Sequence, residues 1–199
     1  TAVGYQAIYS NQTGVSNTAL GNSALYSNTG DYNTAIGNVA LYANTTGAYN
    51  VAVGPSALRF NTTASNNTAV GYQAGYSNTT GTGLTYIGYQ SGYTNSTGSY
   101  NTAIGERSAY SMTTGERNVA VGYTALNVNT TGVRNAAMGM SALEQNSTGS
   151  YNTGIGYQAL TSNTTASYNT AVGYQAGYTF ASTGTGPITA FGYQAGYTN

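Results

Sequence analysis

Apolar residues fall into short, evenly spaced clusters separated by runs of Asn, Thr, Ser and Gly, and nowhere do they take the three-to-four spacing of an amphipathic helix. The clearest cluster is a small residue, an apolar residue and a glycine, as in Ala35-Ile36-Gly37 and Ala103-Ile104-Gly105. With that glycine as position zero, it recurs at Gly4, Gly21, Gly37, Gly54, Gly71, Gly88, Gly105, Gly122, Gly139, Gly156, Gly173 and Gly192. Nine of the eleven intervals are 17 residues, one is 16 and one is 19. The short coil lacks a Thr in its turn (Asn28-Thr29-Gly30), and the long one carries extra residues around Thr183 to Pro187. Length changes placed in turns leave a stack of coils intact.

The consensus G-Y-Q-A-L-Y-S-N-T-T-G-S-Y-N-T-A-V is too short for a helix pair, and its Asn-Thr-Thr-Gly segment is turn chemistry. Two short strands per repeat are predicted, Asn-Thr-Ala-Val and Tyr-Gln-Ala-Leu-Tyr, joined by a glycine bend and the Asn-Thr-Thr-Gly turn. The fold class is therefore all-β, a parallel β-solenoid (β-roll or β-helix) of twelve such coils. Coils pairing at about 4.8 Å extend over roughly 53 Å in eleven steps, a rod rather than a globule. Residues 1–199 form one continuous array that starts and stops in mid-repeat, the pattern of an excerpt from a longer fibre.

Equivalent positions of stacked coils form ladders. The apolar residue at −1 (Val3, Leu20, Ile36, Val53 and so on) is the candidate inward ladder, with small residues at +3 (Ala24, Ala40, Ala57) marking close approach. Twenty of the 21 Tyr fall into three registers, +1, +5 and −5, and Tyr86 stands apart. Asn recurs at −4 (Asn17, Asn33, Asn50, Asn118), where its amide suits turn backbone. Gly replaces the usual Leu at Gly75, Gly92, Gly177 and Gly196, flanking the Gly81-Thr82-Gly83 and Gly184-Thr185-Gly186 turns. The two pairs lie six coils apart, the spacing expected of a junction or a contact with a neighbour.

Composition changes this picture by removing functions. Only 4% of residues are charged and net charge is zero, so no basic stripe serves nucleic acid or an anionic membrane. Cys and His are absent, which removes disulfides, thiolate chemistry and imidazole ligands; no cofactor and no catalytic residue is expected, and the chain reads as a non-enzyme. No apolar run approaches the ~20 residues of a membrane span. The few charges (Asp31, Arg59, Glu106, Arg107, Glu116, Arg117, Arg134, Glu144) read as cation-π or surface ion pairs. Each coil has a thin apolar core against a backbone ordering cost of about 1 to 2 kcal/mol per residue, which points to further burial against partner chains or under attached sugar.

The Asn-Thr-Ala-Val-Gly motif, with variants such as Asn118-Val119-Ala120-Val121-Gly122, resembles the repeat of trimeric autotransporter adhesin heads in every coil, and looks similar to repeats of phage tail fibres. The resemblance implies a left-handed parallel β-roll that forms a homotrimer, lies in a surface or virion fibre and contacts host matrix or cells. It assigns no binding residue.

The sharpest local motif is N-x-[ST], the acceptor signature for N-linked glycan on exposed turns. It occurs at Asn11, Asn44, Asn61, Asn78, Asn95, Asn129, Asn146 and Asn163, all at +7, and additionally at Asn66. A turn needing the Asn amide and a Thr hydroxyl explains the +7 set without sugar. The expected function is a structural, adhesive fibre component outside the cell, self-associating laterally or end to end. The alternatives are an ice-binding surface built on turn Thr (Thr45, Thr62, Thr79, Thr130, Thr164) and a carbohydrate-binding surface built on the Tyr ladders.

Overall fold

Each Thr-Ala-Val-type tripeptide before a zero-position glycine forms a strand, because small and β-branched side chains suit the pleat and the glycine ends it. The computed structural model describes residues 1–179 and 187–197. Its strands are β1 (Ala2–Val3), β2 (Thr18–Leu20), β3 (Thr34–Ile36), β4 (Val51–Val53), β5 (Thr68–Val70), β6 (Thr85–Ile87), β7 (Thr102–Ile104), β8 (Val119–Val121), β9 (Ala136–Met138), β10 (Thr153–Ile155), β11 (Thr170–Val172) and β12 (Thr189–Phe191). They pair in chain order as one parallel 12-stranded sheet. The register advances by one repeat per strand, as in Thr102↔Val119, Ala103↔Ala120 and Ile104↔Val121. The fold is the parallel β-solenoid expected from the repeat.

The interior is the reverse of the expected one. The small residue at −2 points inward (Ala35, Ala52, Ala103 and Ala120 are all fully buried), and the larger aliphatic at −1 points out, with Leu20 50% and Ile104 37% exposed. Buried Ala at +3 and Leu at +4 (Leu25, Leu41, Leu58, Leu126, Leu143) form the opposite wall. The coil is too narrow for Val on both walls. A methyl group built on Gly154 at −2 would already stand 3.1 Å from Cγ of Leu143.

Among the described residues the second predicted strand is absent. From +1 to +5 the backbone alternates between negative and left-handed φ, as at Ser23 (φ 52) and Leu25 (φ 51), and even the β-branched Val39 is held at φ 47. Such values are unfavourable for non-glycine residues and persist only where neighbours enforce them. Here the neighbouring coils do so. Ser23 N–H donates back to Tyr5 O (2.8 Å), while Leu25 N–H donates forward to Ala40 O (3.0 Å) and Ser27 N–H to Tyr42 O (3.2 Å). The segment therefore remains bonded to both neighbouring coils without being a β-strand.

Tyr86 explains one of the two Gly pairs. It occupies the −2 position, where other coils have Ala or Gly, and its ring fills the volume that Leu would take at +4 on either side. A methyl group on Gly92 would lie 2.5 Å from its Cζ, and one on Gly75 would lie 3.0 Å from its Cδ2. This pair is thus a core exchange of one large residue for two; the Gly184-Thr185-Gly186 turn lies outside the described residues. The Tyr86 hydroxyl is buried without a hydrogen-bond partner. Burial pushes its pKa well above the ordinary 10.0, and the nearby Asn101 side chain offsets this only in part. A raised folded-state pKa gives stability that is present below pH 10 and lost as pH rises beyond it. Tyr86→Phe is expected to leave stability at neutral pH the same or higher, because an unpaired buried hydroxyl is removed. Alkaline titration followed by circular dichroism should place its unfolding at higher pH than wild type, and an unchanged alkaline midpoint would refute the assignment.

Candidate functional site

The polar counterpart of the apolar core is a double column of buried asparagines, at +7 and −4, and both columns converge on the backbone carbonyl at +10. Gly132 O accepts Nδ2 of Asn129 from its own turn (3.0 Å) and Nδ2 of Asn118 from the preceding coil (2.9 Å). The same pairing recurs at Gly47 O, from Asn33 and Asn44 (both 2.8 Å), and at Gly149 O, from Asn135 (2.8 Å) and Asn146 (2.9 Å). The oxygens of the −4 column accept the next coil's backbone, as Asn118 Oδ1 does from Asn135 N (2.9 Å). Along the +7 column the amide also reaches the previous Asn oxygen, Asn61 to Asn44 at 2.8 Å and Asn78 to Asn61 at 2.8 Å, and the column is interrupted at Met112, between Asn95 and Asn129. Buried, bonded amides of this kind fix register, because a slip would orphan them; Asn95 Oδ1, next to Met112 in the column, is the one buried amide oxygen among the described residues left without a partner.

The +7 sequons lie inside this spine. Asn44, Asn61, Asn78, Asn95, Asn129, Asn146 and Asn163 are fully buried. In Asn44, Asn61, Asn78, Asn95, Asn146 and Asn163 both amide hydrogens have acceptors. A glycan replaces one amide hydrogen and needs solvent around it, so the folded turn leaves no place for sugar there. Asn11 is half-buried and bonded to Gly14 through both side-chain atoms. Asn66 differs: it occupies the −5 position, exposed, at φ 62.

The turn hydroxyls proposed for an ice surface are also engaged. Thr45 Oγ1 donates to Thr62 O (3.0 Å), Thr62 to Thr79 O (3.1 Å), and Thr130 to Ser147 O (3.1 Å). The Tyr ladders stack as expected, with ring centroids 5.0 Å apart for Tyr26 and Tyr42 and for Tyr151 and Tyr168, and 5.1 Å apart for Tyr93 and Tyr110. In these pairs each ring covers its neighbour's face, whereas sugar stacking requires an open one. The Arg residues cap these columns: Arg134 lies 5.3 Å over Tyr151 and also bonds its hydroxyl, Arg117 lies 5.6 Å over Tyr100, and Arg107 lies 5.4 Å over Tyr110. Arg117 makes one exposed ion pair with Glu116 (3.4 Å), of the kind worth about 0 to 1 kcal/mol.

Among the described residues there is no cavity and no cluster of three acidic, His or Cys side chains able to hold a metal. No family model, curated protein or solved structure matches the chain. The surface that sequence reasoning missed is the outer side of the sheet. There the −1 aliphatics stand in a column beside the −3 residues, mostly Thr (Thr34, Thr68, Thr102, Thr153) with Val at Val51 and Val119. The alternation of a small residue between two larger ones in the Thr-Ala-Val-type tripeptides was the available signal. It was uninformative without knowing which side of the pleat met the opposite wall.

Proposed function

We propose that this chain is a structural segment of an extracellular fibre, of the kind found in the surface-adhesin and tail-fibre repeats its sequence resembles. The observation that carries this reading is the unbroken stacking of the coils: the backbone and the Asn spine together bond each coil to the next. Such an array resists slippage along its axis and offers long uniform faces, as a fibre requires. Low charge and many turn hydroxyls suit a surface exposed to changing salt. Antibodies against the chain are expected to label filaments on intact, unpermeabilised native material. Labelling that appears only after permeabilisation would overturn the reading.

On such a fibre the acceptor for N-linked sugar in the folded coil is Asn66. Glycopeptide mass spectrometry of native material should find occupancy at Asn66 and unmodified Asn at Asn44, Asn61, Asn78 and Asn95. Sugar on those four in folded protein would contradict the buried spine.

A further inference from the structure

The outward face of the sheet combines features that rarely coexist on an isolated surface. The −1 column exposes Leu20, Ile36, Ile104, Met138 and Ile155, between 37% and 50% each, in one continuous row. None of the charged side chains lies on a strand. Meanwhile the interior is filled largely by Ala, with a buried Leu at +4 in six coils (Leu25, Leu41, Leu58, Leu126, Leu143 and Leu160), and the −1 aliphatic of the strands is left at the surface. Contiguous exposed apolar patches beyond a few hundred Å² mark interaction sites.

We propose that this face is the contact between two copies of the chain, packed sheet against sheet. Three observations select a second copy as the occupant. The area reaches the threshold: twelve strands at about 4.8 Å and three residues at about 3.3 Å give roughly 500 Å² per copy, so a pair buries about the 1,000 Å² that a specific interface must clear. The face is uncharged, so it meets an identical surface without like-charge repulsion. The axial step is shared, so the ridges of −1 aliphatics on one copy and the spaces between them on the other stay in step along the whole rod, as an isologous pair requires.

The inference goes beyond the fibre reading and does not depend on it. A monomeric chain would still label on intact filaments, and a chain confined to the cell interior would still pair. Sedimentation velocity of the whole chain at micromolar concentration is expected to give a dimer. Ile36→Lys, Ile104→Lys and Ile155→Lys combined should give a monomer with unchanged circular dichroism, since all three side chains already face solvent. Should that variant fail to fold, Thr68→Glu, Thr102→Glu and Thr153→Glu on the neighbouring column should have the same effect. Tyr32→Lys, Tyr100→Lys and Tyr168→Lys, on the turn, should leave the dimer intact. Wild-type monomer overturns the proposal, as does a dimer that survives the strand-face substitutions. A wild-type monomer that produces thermal hysteresis would assign the face to ice instead.

Discussion

Gly105→Ala is expected to break the rod in two. At the zero position the backbone holds φ at 130°, a region essentially restricted to glycine, and a methyl group on Gly105 would lie 2.6 Å from the carbonyl oxygen of Gly122 in the next coil. The obstructing atom is backbone, so no side chain can rotate away. Relief requires that the coils separate, which also strains the strand pairing between β7 and β8 and the neighbouring Asn contacts. The combined cost is about 4 to 5 kcal/mol or more, the range reserved for backbone strain and buried disruption. Because each coil contacts only its neighbours, the damage is local, and the chain on either side of Gly105 should melt as a separate unit. Calorimetry is expected to show two transitions where the wild type shows one. Gly83→Ala supplies the contrast: its φ is also positive, at 67°, but the atom nearest the added methyl is Cδ1 of the exposed Tyr100 ring (2.9 Å), which can rotate away, so it should cost clearly less. Equal losses at both sites would mean that φ strain, and not stacking, explains the invariant glycine.

The second large effect is expected from the Asn spine, and it is non-additive. Asn118→Ala removes the partner of Asn135 N–H, but Gly132 O retains Asn129. Asn129→Ala removes one bond to Gly132 O, which retains Asn118. Each single change should cost about 1 to 3 kcal/mol, the penalty for buried polar groups left short of partners. The double variant strips Gly132 O of both Asn amides, so its loss should exceed the sum of the two singles. Denaturant unfolding of the four proteins in a double-mutant cycle measures that excess directly. Strict additivity would mean that the shared carbonyl is satisfied by water and that the two columns act independently. Leu84 shows how the chain itself handles such a loss: it replaces Asn at −4, and Gly98 O there keeps its bond from Asn95 (2.9 Å).

Much of this architecture was legible in the sequence because it is one-dimensional. A glycine every 17 residues dictates the coil, and identical residues at identical steps can only stack, so the parallel register, the Tyr ladders and the −4 Asn ladder followed from spacing alone. The reading of the charged residues as cation-π or surface ion pairs is met by the contacts of Arg59, Arg107, Arg117 and Arg134 over aromatic rings and the Arg117–Glu116 pair. Three features were not legible. Which of Ala35 and Ile36 faces inward is a matter of one residue in a period of two, and both choices give the same pattern along the chain. The alternating backbone at Ser23 and Leu25 has no compositional signature, since its left-handed residues include Gln, Ser, Val and Leu, and only the coils above and below hold it. The N-x-[ST] motif, finally, reads as an exposed acceptor on composition, whereas burial at +7 turns the same Asn into a structural donor.

The sequence by itself determined the period, the stacking order and the ladders, because translation along an axis preserves residue identity and needs no knowledge of the cross-section. The tertiary structure alone decided which side of each strand is dry, since that depends on the distance between two walls that lie far apart in the repeat and leave room for a methyl group opposite a leucine. The same distance leaves the larger aliphatics in solvent and draws the sequon asparagines out of it.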